Sequence, residues 1–311
     1  MKKKIKIVVV GIGGVGGYYG GLLAKKYSNS NEVEIIFVAR GEHLKQIRDK
    51  GLKVIVGTDE FIAVPTLATD NAQEIGIADY IIICTKNYDL ETTIEQIKPC
   101  IDTNTILLPL LNGVDGVERI KHILPGTTVL NGCVYIVSRL KEPGVIENMG
   151  NIQSLYFGID NTMNDRLILL EKLLKDAGIQ AILSENISTI VWEKFIFISS
   201  SATATSYFDS SFGKLIAETP ETIMKLIDEV KEIALAKGIR IDKDIAVKTF
   251  NFIKSLPYET TSSMHRDYKN LKSQTEVESL SGYIVHAGKQ LHIETPAFNK
   301  AYKKLTNNNS N

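Results

Sequence analysis

The apolar run Ile5-Lys6-Ile7-Val8-Val9-Val10 leads directly into Gly11-Ile12-Gly13-Gly14-Val15-Gly16, and a helical stretch follows from Gly17 to Tyr27. The glycines match the pattern G-x-G-x-x-G, placed here between a predicted strand and a predicted helix. In this setting the first glycine permits a tight turn, the second lets the backbone approach a pyrophosphate, and the third lets the helix pack close to the strand. A pyrophosphate then accepts hydrogen bonds from the N–H groups at the helix N-terminus. We therefore expect this stretch to bind a dinucleotide, against the alternative of a plain glycine-rich turn.

The same stretch has a second interpretation as a secretory signal peptide, because Met1-Lys2-Lys3-Lys4 stands before the apolar run. Three features argue against that interpretation. Lys6 interrupts the apolar run, glycines crowd the positions that follow, and Tyr18 to Lys26 offers no clear small-x-small cleavage site. We therefore expect a cytoplasmic protein.

The size, charge and cysteine spacing of the chain limit the classes of protein to which it can belong. The chain has 311 residues, which is enough for two domains. Lys plus Arg and Asp plus Glu are equal at 36 each, and this balance argues against binding to nucleic acid or to a membrane surface. No segment approaches the roughly 18 consecutive apolar residues that span a membrane. Cys84, Cys100 and Cys133 lie far apart without a C-x-x-C pattern, which predicts reduced thiols and no metal site.

The first half of the sequence alternates predicted strands and helices. After the first strand, strands are predicted at Val33 to Ala39, Leu52 to Val56, Phe61 to Val64, Asp79 to Cys84, Thr105 to Leu110, Thr128 to Val137, Gly144 to Glu147, Gln153 to Ile159 and Gln180 to Ser184. Helices are predicted between them at Glu42 to Lys50, Leu90 to Ile97, Val117 to His122 and Arg166 to Ala177. Such alternation is typical of an α/β fold with a doubly wound parallel sheet of the Rossmann type.

Beyond about Glu185 the sequence shows helical periodicity and almost no strand pattern. Helices are predicted at Ile187 to Thr205, Phe212 to Lys237, Asp242 to Ser255, Asp267 to Leu271, Val277 to Leu291 and Pro296 to Leu305. We therefore predict a dinucleotide-binding Rossmann domain over residues 1–186 and an all-helical, substrate-binding domain over residues 187–311. Ligands of open α/β sheets lie at the carboxyl ends of the strands, so we expect the substrate in a cleft between the domains.

Arg40 ends the second predicted strand, where an NAD site usually carries Asp or Glu for the ribose 2′-hydroxyl. An arginine offers a charged fork for a 2′-phosphate instead, which indicates a preference for NADP over NAD. The alternative is a solvated surface arginine.

Two further polar residues lie where a cofactor is expected, and a lysine in the second half is a third candidate. Lys86 and Asn112 each follow a buried predicted strand, although Asn112-Gly113 is also a strong turn dipeptide. Lys194 lies in Trp192-Glu193-Lys194-Phe195 near the start of a predicted helix, where a lone lysine is more often a solvated side chain.

Taken in order, the motifs resemble those of the ketopantoate reductase (2-dehydropantoate 2-reductase) family over nearly the whole chain. They are Gly11–Gly16, Cys84-Thr85-Lys86, Leu111-Asn112-Gly113, Trp192-Glu193-Lys194, Thr261-Ser262-Ser263-Met264, and Thr275-Glu276-Val277-Glu278 ahead of Gly282. The resemblance implies a Rossmann domain, a helical domain and NADPH-dependent reduction of 2-dehydropantoate to pantoate, on the way to pantothenate and coenzyme A.

The resemblance also implies roles for single residues. Lys194 matches the proton donor of the family, and Glu276 matches the acid that works beside it and contacts substrate or cofactor. Asn112 matches the asparagine of the cleft, near both cofactor and substrate. This chemistry is consistent with hydride transfer to a ketone, because an ammonium stabilises the developing oxyanion and supplies a proton.

The remaining matches and departures concern the substrate. Lys86 matches a lysine near the cofactor, Ser263 a serine that contacts substrate, and Asp267 the aspartate four residues on. Family members usually carry asparagines four and eight residues after the catalytic lysine, where this chain has Ile198 and Ala202. A site that hydrogen-bonds a polar substrate loses affinity when such partners are missing, and this favours another small oxo acid as the alternative substrate.

Three functions are therefore compared. The first is NADPH-dependent 2-dehydropantoate reductase, an oxidoreductase acting on a CH–OH group, and the second is a related reductase of another small 2-oxo or 3-oxo acid. The third is a non-enzymatic NADP(H) sensor, against which the joint presence of Lys194 and Glu276 argues. We expect a small oxo acid as the binding partner, with neither nucleic acid nor membrane, and a homodimer is one assembly that the sequence allows.

Overall fold

Two compact units make up the chain in the computed structural model, which describes residues 4–270, 272 and 274–307. The first unit runs to Leu111 and resumes over Gly116–Ile187. The second unit consists of Asn112–Asp115 and the chain from Ser188 onward. The basic residues that motivated the signal-peptide alternative lie mostly outside the described residues, as does Leu271, the predicted end of one helix.

The strands all belong to the first unit. In chain order they are β1 (Ile5–Val10), β2 (Val33–Val38), β3 (Leu52–Val56), β4 (Asp59–Ala63), β5 (Leu67–Thr69), β6 (Tyr80–Ile83), β7 (Ile106–Pro109), β8 (Thr128–Val129), β9 (Asn131–Glu142), β10 (Val145–Gly158) and β11 (Gln180–Leu183).

The helices belong to both units. In the first unit they are α1 (Gly14–Tyr27), α2 (Gly41–Lys50), α3 (Leu90–Ile97), α4 (Gly116–Ile123) and α5 (Asp165–Asp176). In the second unit they are α6 (Ile187–Phe208), α7 (Phe212–Glu218), α8 (Pro220–Ala236), α9 (Ile245–Ser255), α10 (Ser263–Lys269), α11 (Tyr283–Leu291) and α12 (Pro296–Asn307).

A parallel sheet of order β5-β2-β1-β6-β7-β8 forms the centre of the first unit. The order reverses direction between β1 and β6, as in doubly wound dinucleotide-binding sheets. Its strands are apolar because both faces are covered: α3 and α4 pack on one face, and α1 with a second sheet packs on the other. The predicted doubly wound parallel sheet is confirmed.

The second sheet has the order β11-β10-β3-β4, with β9 paired to β10, and the sequence did not predict it as a separate sheet. The single strand predicted over Thr128 to Val137 is wrong, because the chain changes sheets at Leu130, between β8 and β9. The strands predicted at Gly144 to Glu147 and Gln153 to Ile159 join into β10, with an irregularity between Asn148 and Gln153.

Helix α1 lies between the two sheets, and its glycines permit close contact on both sides. A Cβ atom added at Gly20 would lie 3.0 Å from the ring of Phe37 in the parallel sheet, and one at Gly21 would lie 2.7 Å from Val54 in the second sheet. The helix therefore acts as the middle layer of the first unit, and larger side chains would push the sheets apart.

The helical character predicted for the second half is confirmed, and the predicted boundaries differ most at three helices. The helix predicted from Phe212 to Lys237 divides before Pro220, which lacks the N–H that a continuous helix needs and occupies the first turn of α8. The helix predicted from Asp267 starts earlier, because Ser262 caps α10 by accepting from the N–H of His265 at 3.1 Å. The helix predicted from Val277 opens as a π-helical turn, Glu278–Gly282, before α11 begins.

Within the residues that the structure describes, none of the helices combines the length and the apolar run that crossing a bilayer requires.

Buried hydroxyl groups tie the π-helical turn to α6. Ser199 Oγ donates to the carbonyl of Leu280 at 2.9 Å, and the hydroxyls of Thr203 and Ser281 share a hydrogen bond of 2.7 Å. Helix α6 is buried on most sides, so these hydroxyls have no access to solvent and depend on protein partners.

We predict that Thr203→Val lowers the free energy of unfolding by about 1–3 kcal/mol, because it removes the partner of the fully buried Ser281 hydroxyl. The matched control is Ser200→Ala, whose hydroxyl bonds within its own helix, to the carbonyl of Ile196 at 2.6 Å. Urea unfolding followed by the fluorescence of Trp192, the single tryptophan, measures both variants. Equal losses in the two variants would contradict the proposed link between α6 and the π-helical turn.

Candidate active site

The glycine-rich turn joins β1 to α1 as the sequence predicts, and each glycine has its own environment. Gly11 has a positive φ of 86°, and a Cβ there would lie 2.9 Å from the backbone N of Thr85. A Cβ at Gly16 would collide with the carbonyl oxygen of Gly11 and lie 2.8 Å from Cys84 Cβ. Gly14 approaches the carbonyl of Ser138 on β9 just as closely. Three of these positions are therefore fixed by packing.

Gly13 differs from the other glycines of the turn. It is the N-cap of α1, and a Cβ built there has no neighbouring atom within 4 Å. The first turn of α1 carries no acidic residue, and the first N–H groups of a helix have no partner within the helix. Open space at the N-terminus of a helix whose first turn carries no acidic side chain is suited to a pyrophosphate.

Arg40 lies just after β2 at the N-cap position of α2, and its side chain makes no capping hydrogen bond there. Its side chain is 88% exposed, and one guanidinium nitrogen lies 3.5 Å from Asp89 Oδ2. An exposed pair at this distance contributes little to stability, so a phosphate can compete with Asp89 for the guanidinium. Asp89 carries no sequence signal for this pairing, because only the fold brings it near Arg40.

Lys86 is half-buried and begins a short 3₁₀ turn after β6. The preceding residue, Thr85, has a buried hydroxyl oxygen without a hydrogen-bond partner within the described part of the chain. A buried hydroxyl in that state favours a polar partner from outside the protein. This motif, Cys84-Thr85-Lys86, lies against Gly11 at the carboxyl ends of β1 and β6.

In the second unit the structure brings Lys194 and Asn112 together. Lys194 lies on α6 and is half-buried, and its Nζ donates to Asn112 Oδ1 at 3.3 Å. The side-chain amide of Asn112 therefore accepts from the ammonium and helps to hold its direction. The plain-turn interpretation of Asn112-Gly113 does not account for this bond.

Glu276 and Asp267 are both buried, at 3% and 8% exposure. Asp267 Oδ1 accepts from Lys272 Nζ at 2.6 Å. Beside Glu276, the hydroxyl of Thr275 is buried and has no hydrogen-bond partner among the described residues. Ser263 is exposed on the first turn of α10. The substrate roles of these side chains stay predictions.

The two apolar replacements on α6 differ in their surroundings. Ala202 is only 4% exposed and belongs to the apolar core of the second unit, whereas Ile198 is half-buried and packs against that core. The nearby hydroxyls of Ser199 and Thr203 bond to the π-helical turn. These hydroxyls therefore already have protein partners and do not replace the missing asparagines as free polar groups.

Two protein-family models match the chain, one over each half. The model described as ketopantoate reductase PanE/ApbA matches residues 7–161, and the ketopantoate reductase PanE/ApbA C-terminal model matches residues 186–308. The chain therefore belongs to the ketopantoate reductase family, and it is an oxidoreductase of that family.

Individual relatives agree with this assignment. A Bacillus subtilis (strain 168) protein described as the uncharacterized oxidoreductase YkpB is 30% identical over 304 residues, which are 97% of this chain and 98% of that protein. The crystal structure of 2-dehydropantoate 2-reductase from Porphyromonas gingivalis W83 has a TM-score of 0.87 and 36% identity, covering 98% of this chain and 100% of the other.

The same fold also occurs in a reductase with a different name. D-mandelate dehydrogenase, solved with NADH and anilino(oxo)acetate, has a TM-score of 0.82 and 23% identity, with 98% of each chain covered. At this identity the likeness shows the fold alone.

Gly13 and Gly16 should respond differently to substitution by alanine, because the space beside Gly13 is open and that beside Gly16 is filled. We expect Gly13→Ala to change the free energy of unfolding by less than about 0.5 kcal/mol but to weaken binding of a nicotinamide dinucleotide, because its Cβ enters only the open space. We expect Gly16→Ala to destabilise the protein by about 1–3 kcal/mol, since its Cβ collides with backbone. Thermal unfolding and dinucleotide titration measure both variants. Unaltered dinucleotide affinity in Gly13→Ala would argue against this turn as the pyrophosphate site.

Proposed function

We propose that this protein reduces a small 2-oxo acid with NADPH, with 2-dehydropantoate as the leading substrate, and so contributes to the synthesis of pantothenate and coenzyme A. The glycine-rich turn, Arg40 and Lys86 would hold the cofactor. Lys194, Asn112 and Glu276 would hold and protonate the substrate. The observation that carries the proposal is the 3.3 Å bond from Lys194 Nζ to Asn112 Oδ1.

The residues of the first unit are suited to a dinucleotide. The space beside Gly13 is open, and the Thr85 hydroxyl is buried without a partner within the described chain. NADPH supplies the hydride when it is bound there. That the cofactor held by these residues reaches a substrate at Lys194 is part of the proposal.

Lys194 performs the proton chemistry in this mechanism. Its ammonium stabilises the negative charge that develops on the substrate oxygen, and its Nζ then gives up a proton to that oxygen. Asn112 restricts the direction of the ammonium by accepting one of its three hydrogens. Glu276, which is almost fully buried, holds the lysine or accepts from a substrate hydroxyl.

The surroundings of α6 favour a second candidate, the reduction of another small oxo acid. Ala202 lies in the apolar core and Ile198 packs against it, so the helix lacks the amides that family members carry at these positions. The D-mandelate dehydrogenase structure supports the idea that this fold accommodates other oxo acids. Cytoplasmic location and a homodimer stay predictions.

The deciding experiment measures NADPH oxidation by the full chain with a panel of 2-oxo acids that includes 2-dehydropantoate. The leading proposal expects the highest kcat/KM for 2-dehydropantoate. A much higher kcat/KM for an oxo acid without hydroxyl groups would favour the second candidate. The sensor interpretation requires NADPH binding without turnover of any member of the panel.

We predict that Lys194→Ala lowers kcat by at least about a hundredfold, because general acid catalysis by a positioned side chain contributes about 10²–10⁴. NADPH affinity should stay within about threefold, since the lysine acts on the substrate oxygen. Lys254→Ala, which removes an exposed lysine from the last turn of α9, is the control. Steady-state kinetics with folding checked by circular dichroism measures both. An unchanged kcat in Lys194→Ala would remove this residue from the mechanism.

We predict that wild type binds NADPH at least about tenfold more tightly than NADH, since an arginine–phosphate contact contributes about 1.5–3 kcal/mol. Arg40→Glu should abolish this preference. Lys45→Glu alters the net charge by the same amount at an exposed position of the same helix, and it should keep the preference. Titrations with both dinucleotides measure the preference for NADPH over NADH. Equal affinities of the wild type for the two would refute the role of Arg40.

A further inference from the structure

A histidine that no motif singled out connects the glycine-rich turn to two other elements of the first unit. His43 lies on the first turn of α2, three residues after Arg40. Its Nε2 lies 2.7 Å from the carbonyl oxygen of Ile12, and its Nδ1 accepts from the N–H of Gly144 at 2.8 Å. The imidazole therefore joins α2, the turn after β1 and the loop between β9 and β10.

These two bonds fix the protonation state of the ring. The N–H of Gly144 can only donate, so Nδ1 carries no proton. The carbonyl of Ile12 can only accept, so Nε2 carries the proton. His43 is consequently neutral in this arrangement, with one donor and one acceptor used. A second proton on Nδ1 would face the N–H of Gly144 and break that contact.

The bond to Ile12 also determines the direction of the next N–H group. The peptide between Ile12 and Gly13 is planar and trans, so its C=O and N–H point in opposite directions. With the carbonyl directed at His43, the N–H of Gly13 is directed away from the histidine. Gly13 is the residue whose surroundings are open, at the N-terminus of α1.

We propose that His43 is a positioning residue for the dinucleotide, which in its neutral form orients the Ile12–Gly13 peptide so that the Gly13 N–H meets the pyrophosphate. This inference rests on the proposed function, because it requires a dinucleotide at the turn. It adds pH sensitivity to cofactor binding, since a proton on Nδ1 breaks the contact with Gly144 that holds the ring in place, while Nε2 can still donate to Ile12.

Burial supports the same direction of the pH effect. Desolvation lowers the pKa of His43 below its ordinary value, while the bond to the Ile12 carbonyl opposes part of that change. The stabilisation that His43 provides is therefore present above the ordinary histidine pKa of about 6.5 and is lost as the pH falls through the lowered pKa.

Charged groups near the bridge are of both signs. Glu42 and Lys50 on α2, Lys53 on β3 and Glu142 on β9 line a surface cavity beside the loop of Gly144. The glycine-rich turn itself, from residue 11 to 17, contains no titratable side chain. The imidazole of His43 is accordingly the titratable group of this bridge, and burial lowers its pKa below the ordinary value.

The test compares wild type with His43→Gln and His43→Ala. Glutamine keeps one donor and one acceptor but does not titrate, whereas alanine keeps neither. His122→Gln, which alters an exposed histidine on α4, is the matched control. Dissociation constants for NADPH and for NADH are measured from pH 8 to pH 5.5 by fluorescence titration of the full chain, with thermal unfolding of each variant at each pH.

At pH 8 we expect His43→Ala to weaken NADPH binding roughly fivefold to tenfold, as for one lost hydrogen bond, and His43→Gln to restore most of the affinity. As the pH falls through the lowered pKa of His43, the wild type should lose affinity relative to His43→Gln, while His122→Gln follows the wild type. The 2′-phosphate of NADPH also titrates near pH 6, but it does so equally for both proteins. NADH lacks that phosphate, so the same divergence should appear with NADH.

Several outcomes would overturn the proposal. Parallel pH profiles for wild type and His43→Gln would contradict it, even if His43→Ala fails to fold. Equal NADPH affinity of folded His43→Ala and wild type would also contradict it. A loss of thermal stability without a change in affinity would assign His43 a structural role alone. If the wild type binds neither dinucleotide at pH 8, the proposed function itself fails, and this inference fails with it.

Discussion

The close packing of helix α1 between two sheets is the constraint on which the first unit depends. Its glycines bring the helix against the parallel sheet on one side and against β3, β9 and β10 on the other. The same packing places the helix N-terminus at the carboxyl ends of β1 and β6, because Gly16 lies against the Gly11 carbonyl and Cys84. The scaffold and the candidate dinucleotide site are therefore built from the same glycines, with Gly13 as the position that packing leaves open.

In the second unit helix α6 has a comparable role. It carries Lys194, whose ammonium bonds to Asn112, and its buried hydroxyls hold the π-helical turn that follows Glu276. π-helical turns inside helices are rare and are often found at functional sites. Helix α6 therefore carries one proposed catalytic residue, Lys194, and also anchors the turn that follows the other, Glu276. Ala202 contributes to the packing of the same helix, since it lies in the apolar core of the second unit.

The sequence predicted the parallel sheet and the helical second half, because periodicity is a local signal. It named Lys194 and Asn112 as separate candidates through the family resemblance, and the bond between them is visible only in the structure. It did not predict the second sheet as a separate layer, since strand pairing such as that of β10 with β3 joins residues about ninety positions apart. The pairing of Arg40 with Asp89 and the bridge of His43 to Gly144 also join distant segments. A single histidine or aspartate in a helix carries no pattern that would reveal such partners.

The proposed role of the glycine-rich turn is that its N–H groups bind the pyrophosphate of NADPH. Hydrogen–deuterium exchange of the full chain, with and without saturating NADPH, tests it most directly. Helix N-terminal amides have no partner within the helix, so they should exchange rapidly in the free protein. We expect slower exchange on NADPH binding in peptides that contain Gly13 to Gly16, and at the start of α2 after Arg40. Binding of NADPH with unchanged exchange in both segments would contradict it.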